Sequence, residues 1–259
     1  MVGLTREVRF TIPLPPVVVP PPLNGLAGNL VDGPGMFFVL TVTLCGEVDS
    51  QSQYIQNIKI IDARVLRDAV PAIAQLLGQG RFTLARATQQ ALQTLHAGWA
   101  NADLVAVQLA LNPYSHCSIR VEEPDMVQLT QRFEFSAAHR LHNASLDEVT
   151  NRGLFGKCNN PAGHGHNYEF EVTLAGTPDS AGKVANPTTF TQIVHDTIIT
   201  RFDHKHLNSQ TAEFAQTIPS VENIARVIYD LLKPRFAAPL QLASVRVWET
   251  PKTSAFYAE

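Results

Sequence analysis

The sequence predicts an α+β fold made of two tandem units, each a four-stranded antiparallel sheet with two helices on one face. Three observations support it. Similar segments recur in the same order: VRFTI at 8–12 and QRFEF at 131–135, TLCGEVDS at 43–50 and TLAGTPDS at 173–180, SIRVEE at 118–123 and SVRVWE at 244–249. Alternating segments predict strands, and helical periodicity predicts two helices per copy. Pro124 marks a boundary between domains 1–126 and 127–259.

In the second copy the order is strand, strand, helix, helix, strand, strand. The strands are predicted at 126–141, 166–176, 243–250 and 254–259, and the helices at 189–202 and 220–236. Ser220 suits the N-cap of the second helix and Pro234 ends it. The first copy has the same order, with helices at 61–77 and 84–100 and a proline-rich hairpin loop at 13–25.

Composition narrows the function classes. The chain has 259 residues, 45% hydrophobic and 17% charged, with a net charge of -3, which gives no electrostatic reason to expect nucleic acid or a membrane as partner. The first residues lack the apolar stretch of a signal peptide. Three widely spaced cysteines argue against a disulfide framework. We therefore expect a cytoplasmic protein.

Three histidines form the strongest chemical signal. His164 and His166 are two residues apart at the start of a strand, so both imidazoles lie on one face. His139 lies at the far end of the preceding strand, its predicted hairpin partner. Three neutral imidazoles with one open position are the ligand set of a catalytic zinc ion. The alternative is a set of unrelated histidines at hairpin ends.

Other polar residues are less decisive from sequence. Cys158 suits a fourth zinc ligand, a buried spectator or a reactive thiol. Asp203 lies beside His204, but taken alone this pair is more typical of a helix C-terminus with solvated charges. Glu249, next to Trp248, suits a carboxylate that accepts hydrogen bonds from an amidine-like edge, as in guanine or pterin, although strand-end glutamates are usually solvated. Glu222 lies in a first helical turn, where a carboxylate also complements the helix dipole.

The segments FSAAHRL, FGKCNNPAGHGHNY, FDHKHLN, SVENIA and VWET resemble, in this order, the 6-pyruvoyltetrahydropterin synthase and 6-carboxytetrahydropterin synthase family over residues 127–259. The resemblance implies the tunnelling fold (T-fold), whose units assemble into barrels as homo-oligomers with active sites between subunits. It implies a lyase that converts 7,8-dihydroneopterin triphosphate to 6-pyruvoyltetrahydropterin with loss of triphosphate.

The resemblance also implies residue roles. His139, His164 and His166 match the zinc ligands, Cys158 the general base, Asp203 and His204 its partners in proton transfer, Glu249 the carboxylate that anchors the pterin, and Glu222 a second acidic residue of the pocket. The five residues between Cys158 and His164 favour the pyruvoyl branch over the carboxy branch of the queuosine pathway. A non-catalytic pterin-binding protein is a further alternative.

Several positions depart from the family pattern. Asn186 replaces an aspartate that is usual there, and Val221 replaces a common threonine. In the first copy, Pro16, Pro34 and Met36 take the places of the three histidines, whereas Glu123 keeps the position of Glu249. We therefore expect a degenerate first copy without metal and one working site per chain.

Overall fold

The computed structural model describes residues 1–14 and 34–259. Pro16 and most of the predicted hairpin loop lie outside the described residues. The chain has an α+β fold and divides into two compact units. The first unit is Met1–Thr130 with Ala175–Val184, and the second is Gln131–Leu174 with Ala185–Glu259.

The described part of the first half contains four strands in the order β1-β2-β3-β4, and neighbouring strands are antiparallel. These strands are β1 (Val2–Pro13), β2 (Gly35–Gly46), β3 (Ala102–Asn112) and β4 (Ser115–Arg120). The helices between β2 and β3 are α1 (Ile58–Arg64), a π-helical turn (Val65–Ala69), α2 (Val70–Gly78) and α3 (Leu84–Leu95). The predicted order of elements is confirmed for this half.

The second half repeats this order with additions. Its strands are β5 (Val127–His139), β6 (His164–Gly176), β7 (Lys205–His206), β8 (Gln241–Thr250) and β9 (Thr253–Tyr257). Its helices are α4 (Glu148–Phe155), α5 (Pro187–Val194), α6 (Thr200–Phe202), α7 (Leu207–Gln210) and α8 (Val221–Leu232). A π-helical turn (His195–Ile199) joins α5 to α6, and 3-10 turns occupy Gly156–Asn159 and Lys233–Arg235. The sheet order is β5-β6-β8-β9, and β7 pairs with β5 in parallel.

Strand β6 shows how alternation in the sequence produces one buried face. Its apolar side chains, at Tyr168, Phe170, Val172 and Leu174, are all fully buried. The intervening positions from Asn167 to Thr173 are exposed or half-buried. Helix α8 buries Ile224, Ile228 and Leu232 along one stripe. Ser220 caps this helix as predicted, because its side chain accepts a hydrogen bond from the backbone N–H of Asn223.

Two sequence predictions need correction. The third repeat match pairs strands at different places in the order. The first half of SIRVEE ends β4, the fourth strand of its half, whereas SVRVWE lies in β8, the third large strand of its half. Glu123 therefore does not keep the position of Glu249: it lies in an exposed turn after β4. Short alternating strands look alike whatever their place in the fold, which explains the misalignment.

The second-half sheet is not purely antiparallel either. The sequence patterns did not predict β7, α4 and α7, which are all short elements. Within the described part of the chain, no helix is long and apolar enough to span a bilayer.

Candidate active site

Strands β5 and β6 bring the three predicted histidines together. His139 ends β5, and His164 and His166 occupy alternate positions at the start of β6. One ligand nitrogen from each ring lies within 4.8 Å of the other two. Nε2 of His139 and Nε2 of His164 are 3.1 Å apart. The predicted convergence from two strands is therefore confirmed.

The backbone fixes the tautomer of His139. Its Nδ1 lies 2.7 Å from the carbonyl oxygen of Pro219, which can only accept a hydrogen bond. Nδ1 therefore carries the proton, and Nε2 presents a lone pair to the other two histidines. His139 is fully buried, and this burial lowers its pKa to about 4, with smaller contributions from neighbouring histidines. The ring is neutral at pH 7.

Glu249, from β8, extends this cluster. Its Oε1 lies 3.3 Å from Nε2 of His139 and 3.7 Å from Nε2 of His166. Because His139 is neutral with its proton on Nδ1, the contact with Glu249 is not an ion pair. A carboxylate oxygen instead faces a nitrogen lone pair, which is unfavourable unless a cation lies between them.

The donor set therefore fits a metal ion. Nδ1 of His164 and Nε2 of His166 are buried and have no hydrogen-bond partner among the described residues. Zn–N bonds of about 2.0–2.1 Å in a tetrahedral site place ligand nitrogens about 3.3 Å apart. The Nε2 atoms of His139 and His164 are 3.1 Å apart, close to this spacing. Burial and the neighbouring His166 also lower the pKa of His164, which favours the neutral form that binds metals. The three histidines form a group that could hold a metal.

Cys158 lies in the 3-10 turn Gly156–Asn159, which follows α4. Its carbonyl oxygen accepts a hydrogen bond from the backbone N–H of Leu141, two residues beyond His139. The thiol is half-buried and free. It is close enough to contribute to the raised pKa of Tyr168, which belongs to the histidine cluster. The backbone of Cys158 is thus hydrogen-bonded to the segment that follows His139, and its thiol is not part of the three-histidine group.

Asp203 and His204 form a hydrogen-bonded pair at the end of α6. The Nδ1 of His204 lies 2.7 Å from Oδ2 of Asp203. The backbone N–H of Ser136 donates to Oδ1 of Asp203, and this bond, with help from His204, lowers the pKa of Asp203. His204 has a φ of 56°, unusual for a residue other than glycine, and its side chain is 84% exposed. The pair therefore presents an oriented imidazole to solvent.

An open cavity of about 530 Å³ lies beside this pair. Its lining includes backbone or side-chain atoms of Ser136, Gly165, His166, Asn167 and His206. By sequence, His204 and His206 resemble a second metal pair for which no third ligand is evident. Nδ1 of His206 is buried without a partner among the described residues. No motif distinguishes His206 from the solvated histidines, so its place depends on the β5–β7 pairing.

The remaining residues singled out from the sequence lie at the starts of two helices. Glu222 is exposed in the first turn of α8, close in sequence to Pro219, the hydrogen-bond partner of His139. Asn186 is the N-cap of α5 and accepts hydrogen bonds from the backbone N–H groups of Thr188 and Thr189. Asparagine thus performs the capping function that an aspartate would have there. Val221 is the first residue of α8 and is buried.

Gly163 is required where the chain enters β6. Its φ is +73°, and an added Cβ would lie 2.8 Å from Nε2 of His206 and 3.0 Å from the carbonyl oxygen of His139. We expect Gly163→Ala to cost about 1–3 kcal/mol of stability and to weaken metal binding, measured by urea unfolding and metal content. Gly153→Ala is the matched control, since Gly153 lies in α4 with nothing within 4 Å of the added Cβ. Equal effects of the two substitutions would contradict this prediction.

Taken together, the fold and the site define an α+β protein with a three-histidine centre able to hold a metal, a neighbouring free thiol and a separate carboxylate–imidazole pair. The family model for 6-pyruvoyl tetrahydropterin synthase matches residues 128–259. The chain belongs to this family.

Individual relatives support this family assignment. The chain is 42% identical over 130 residues to a 6-pyruvoyl tetrahydrobiopterin synthase of Drosophila melanogaster, covering 50% of this chain and 77% of that protein. It is 39% identical over 131 residues to the Homo sapiens protein of the same name, covering 50% and 90%. The solved structure of the Caenorhabditis elegans 6-pyruvoyl tetrahydropterin synthase is similar with a TM-score of 0.50 and 35% identity, covering 52% and 96%.

Proposed function

We propose that this chain is a zinc-dependent lyase that converts 7,8-dihydroneopterin triphosphate to 6-pyruvoyltetrahydropterin with loss of triphosphate. The observation that carries the proposal is the convergence of His139, His164 and His166 in the half that matches the family. The spacing of Cys158 before His164 further supports the pyruvoyl type. The reaction rearranges the substrate side chain by internal proton shifts and needs no external oxidant or reductant.

The three histidines would hold the zinc ion. Pro219 keeps the Nε2 lone pair of His139 directed at the cluster, and the burial of His139 keeps that ring neutral. Bound there, Zn²⁺ supplies Lewis-acid polarisation of substrate oxygens. The chain's own contribution is a set of imidazoles fixed at the ends of two paired strands, with His139 fully buried.

Cys158 acts as the general base, and Asp203 with His204 takes part in the proton transfer. The hydrogen bond to Asp203 orients the His204 ring and leaves its Nε2 directed away from the carboxylate. Within the described part of a single chain, no hydrogen bond joins Cys158 to this pair. The family resemblance implies active sites between subunits. The Asp203–His204 pair therefore serves the Cys158 thiol of another subunit in this proposal.

Glu249 and Glu222 bind the substrate. Glu249 combines a half-buried carboxylate with direct contacts to two of the histidines, so a pterin held by this carboxylate lies beside the metal centre. An ionised carboxylate can accept both N–H groups of an amidine-like edge. Glu222 supplies a second acceptor on the helix that begins next to Pro219.

The first half, 1–126, is a degenerate T-fold unit that serves as scaffold, and 127–259 is the catalytic unit. The repeated element order supports the duplication, and so do the π-helical turns Val65–Ala69 and His195–Ile199, which fall 130 residues apart. Such turns are rare, so their recurrence at the same place argues for common descent. Two of the three repeat matches align strands that hold the same place in the order of each half. Among its described residues, the first half holds no group of three metal-ligating side chains.

The chain assembles into a homo-oligomeric barrel through its T-fold units, and it works in the cytoplasm, where free thiols such as Cys158 persist. The family resemblance, which implies active sites between subunits, supports the oligomer. Analytical ultracentrifugation measures the assembly, and a monomer at micromolar concentration would contradict it.

The product decides between the pyruvoyl branch and its relatives. Purified protein is incubated with 7,8-dihydroneopterin triphosphate, and the products are identified by mass spectrometry. We expect 6-pyruvoyltetrahydropterin and triphosphate. Acetaldehyde with a 6-carboxy product would identify a carboxy-type enzyme instead, and tight pterin binding without turnover would identify a binding protein.

A further inference from the structure

Tyr168 is a further member of the histidine cluster. It lies two residues after His166, on the same face of β6, and is fully buried. Its hydroxyl oxygen lies 3.2 Å from Nδ1 of His139. Its ring also contacts the His166 ring, with centroids 5.5 Å apart.

Two oxygens therefore face Nδ1 of His139. The carbonyl oxygen of Pro219 lies at 2.7 Å and the hydroxyl oxygen of Tyr168 at 3.2 Å. The carbonyl can only accept, so the proton resides on Nδ1 and the hydroxyl acts as its second, weaker acceptor. One acceptor fixes the tautomer, and a second in a different position also restricts the rotation of the ring.

The hydroxyl itself is held firmly. The Tyr168 ring stacks on Phe135, with centroids 5.0 Å apart and an angle of 19° between the planes. Full burial also keeps the phenol in this position, with its oxygen within hydrogen-bond distance of Nδ1 of His139.

We propose that Tyr168 is a positioning residue for the metal: its hydroxyl holds the His139 ring in the orientation that directs Nε2 to the ion. The inference rests on the metal site of the proposed function. It goes beyond that function because it assigns metal affinity to a residue that contacts neither metal nor substrate. Hydrogen-bond partners of metal-bound histidines typically contribute a 10–100-fold effect on metal affinity or activity.

Tyr168→Phe tests this, because it removes the hydroxyl and keeps the ring. The matched control is Tyr229→Phe, since Tyr229 is also buried in the second unit and donates from its hydroxyl to the carbonyl oxygen of Leu242 at 3.3 Å. The dissociation constant for Zn²⁺ is measured by competition with a chromophoric chelator. We expect Tyr168→Phe to bind Zn²⁺ about 10–100-fold more weakly than the parent, and Tyr229→Phe to bind it equally well.

A second readout separates positioning from general loosening. The visible spectrum of the Co²⁺-loaded protein reports ligand geometry, and we expect it to change in Tyr168→Phe and to stay unchanged in Tyr229→Phe. Unchanged affinity and spectrum in Tyr168→Phe would overturn the inference, and so would equal losses in both variants. Neither measurement needs turnover. A protein that binds Zn²⁺ through Tyr168-dependent geometry but releases no triphosphate would refute the proposed function and leave this inference standing.

Discussion

Cys158→Ala should lower the turnover of 7,8-dihydroneopterin triphosphate by about 10²–10⁴-fold, the contribution of a positioned general base. The thiol is half-buried, and the Cys158 backbone is held in place because its carbonyl oxygen accepts a hydrogen bond from the backbone N–H of Leu141. Removing the thiol therefore leaves the 3-10 turn and the metal site intact. Triphosphate release at saturating substrate measures turnover, and metal analysis of the same preparation verifies the site.

Cys45→Ala is the control for this substitution, because Cys45 is also a half-buried free thiol but lies in β2 of the first half. It should retain full turnover. If Cys158→Ala turns over substrate at the parent rate, Cys158 is not the base. If the variant instead loses its metal, Cys158 is a ligand, which is the alternative that the sequence leaves open.

Much of this fold could be predicted from the sequence because the patterns that specify its strands and helices lie within short segments. Alternation in β6 separates Tyr168 and Phe170 from the polar positions between them, and this pattern alone determines which face is buried. The same period of two places His164 and His166 on one side. His139 required one further assumption, that consecutive strands form a hairpin, and such neighbours usually pair.

The rest of the site depends on contacts between distant segments. Glu249 reaches His139 only through the β5-β6-β8 order of the sheet, which no local pattern encodes. The Pro219 carbonyl is likewise a backbone group 80 residues away from His139. Tyr168 occupies a buried position of the alternating pattern, so the sequence alone predicts a core residue and no role for its hydroxyl. The helix before Cys158 could have been predicted from an N-cap residue, since Asp147 caps α4 by accepting a hydrogen bond from the backbone N–H of Thr150.

His164→Ala should abolish the metal site. It removes one of three imidazoles that converge within 4.8 Å, and the described part of the chain offers no other such group. Two remaining histidines and Glu249 make a poorer set, and the 3.1 Å contact between His139 and His164 disappears. We expect the zinc content after dialysis to fall close to zero. Turnover should fall at least about a thousandfold, as the loss of several kcal/mol of charge stabilisation requires.

His195→Ala is the matched control for this loss, since His195 lies in the same unit, in an exposed turn beside Asp196. It should keep both metal and turnover. Zinc is measured by atomic emission on protein purified without added metal, and circular dichroism establishes that both variants are folded. Full zinc retention in His164→Ala would exclude the three-histidine centre, even if turnover fell. Loss of zinc with unchanged turnover would show that the metal binds at this site but has no part in the reaction.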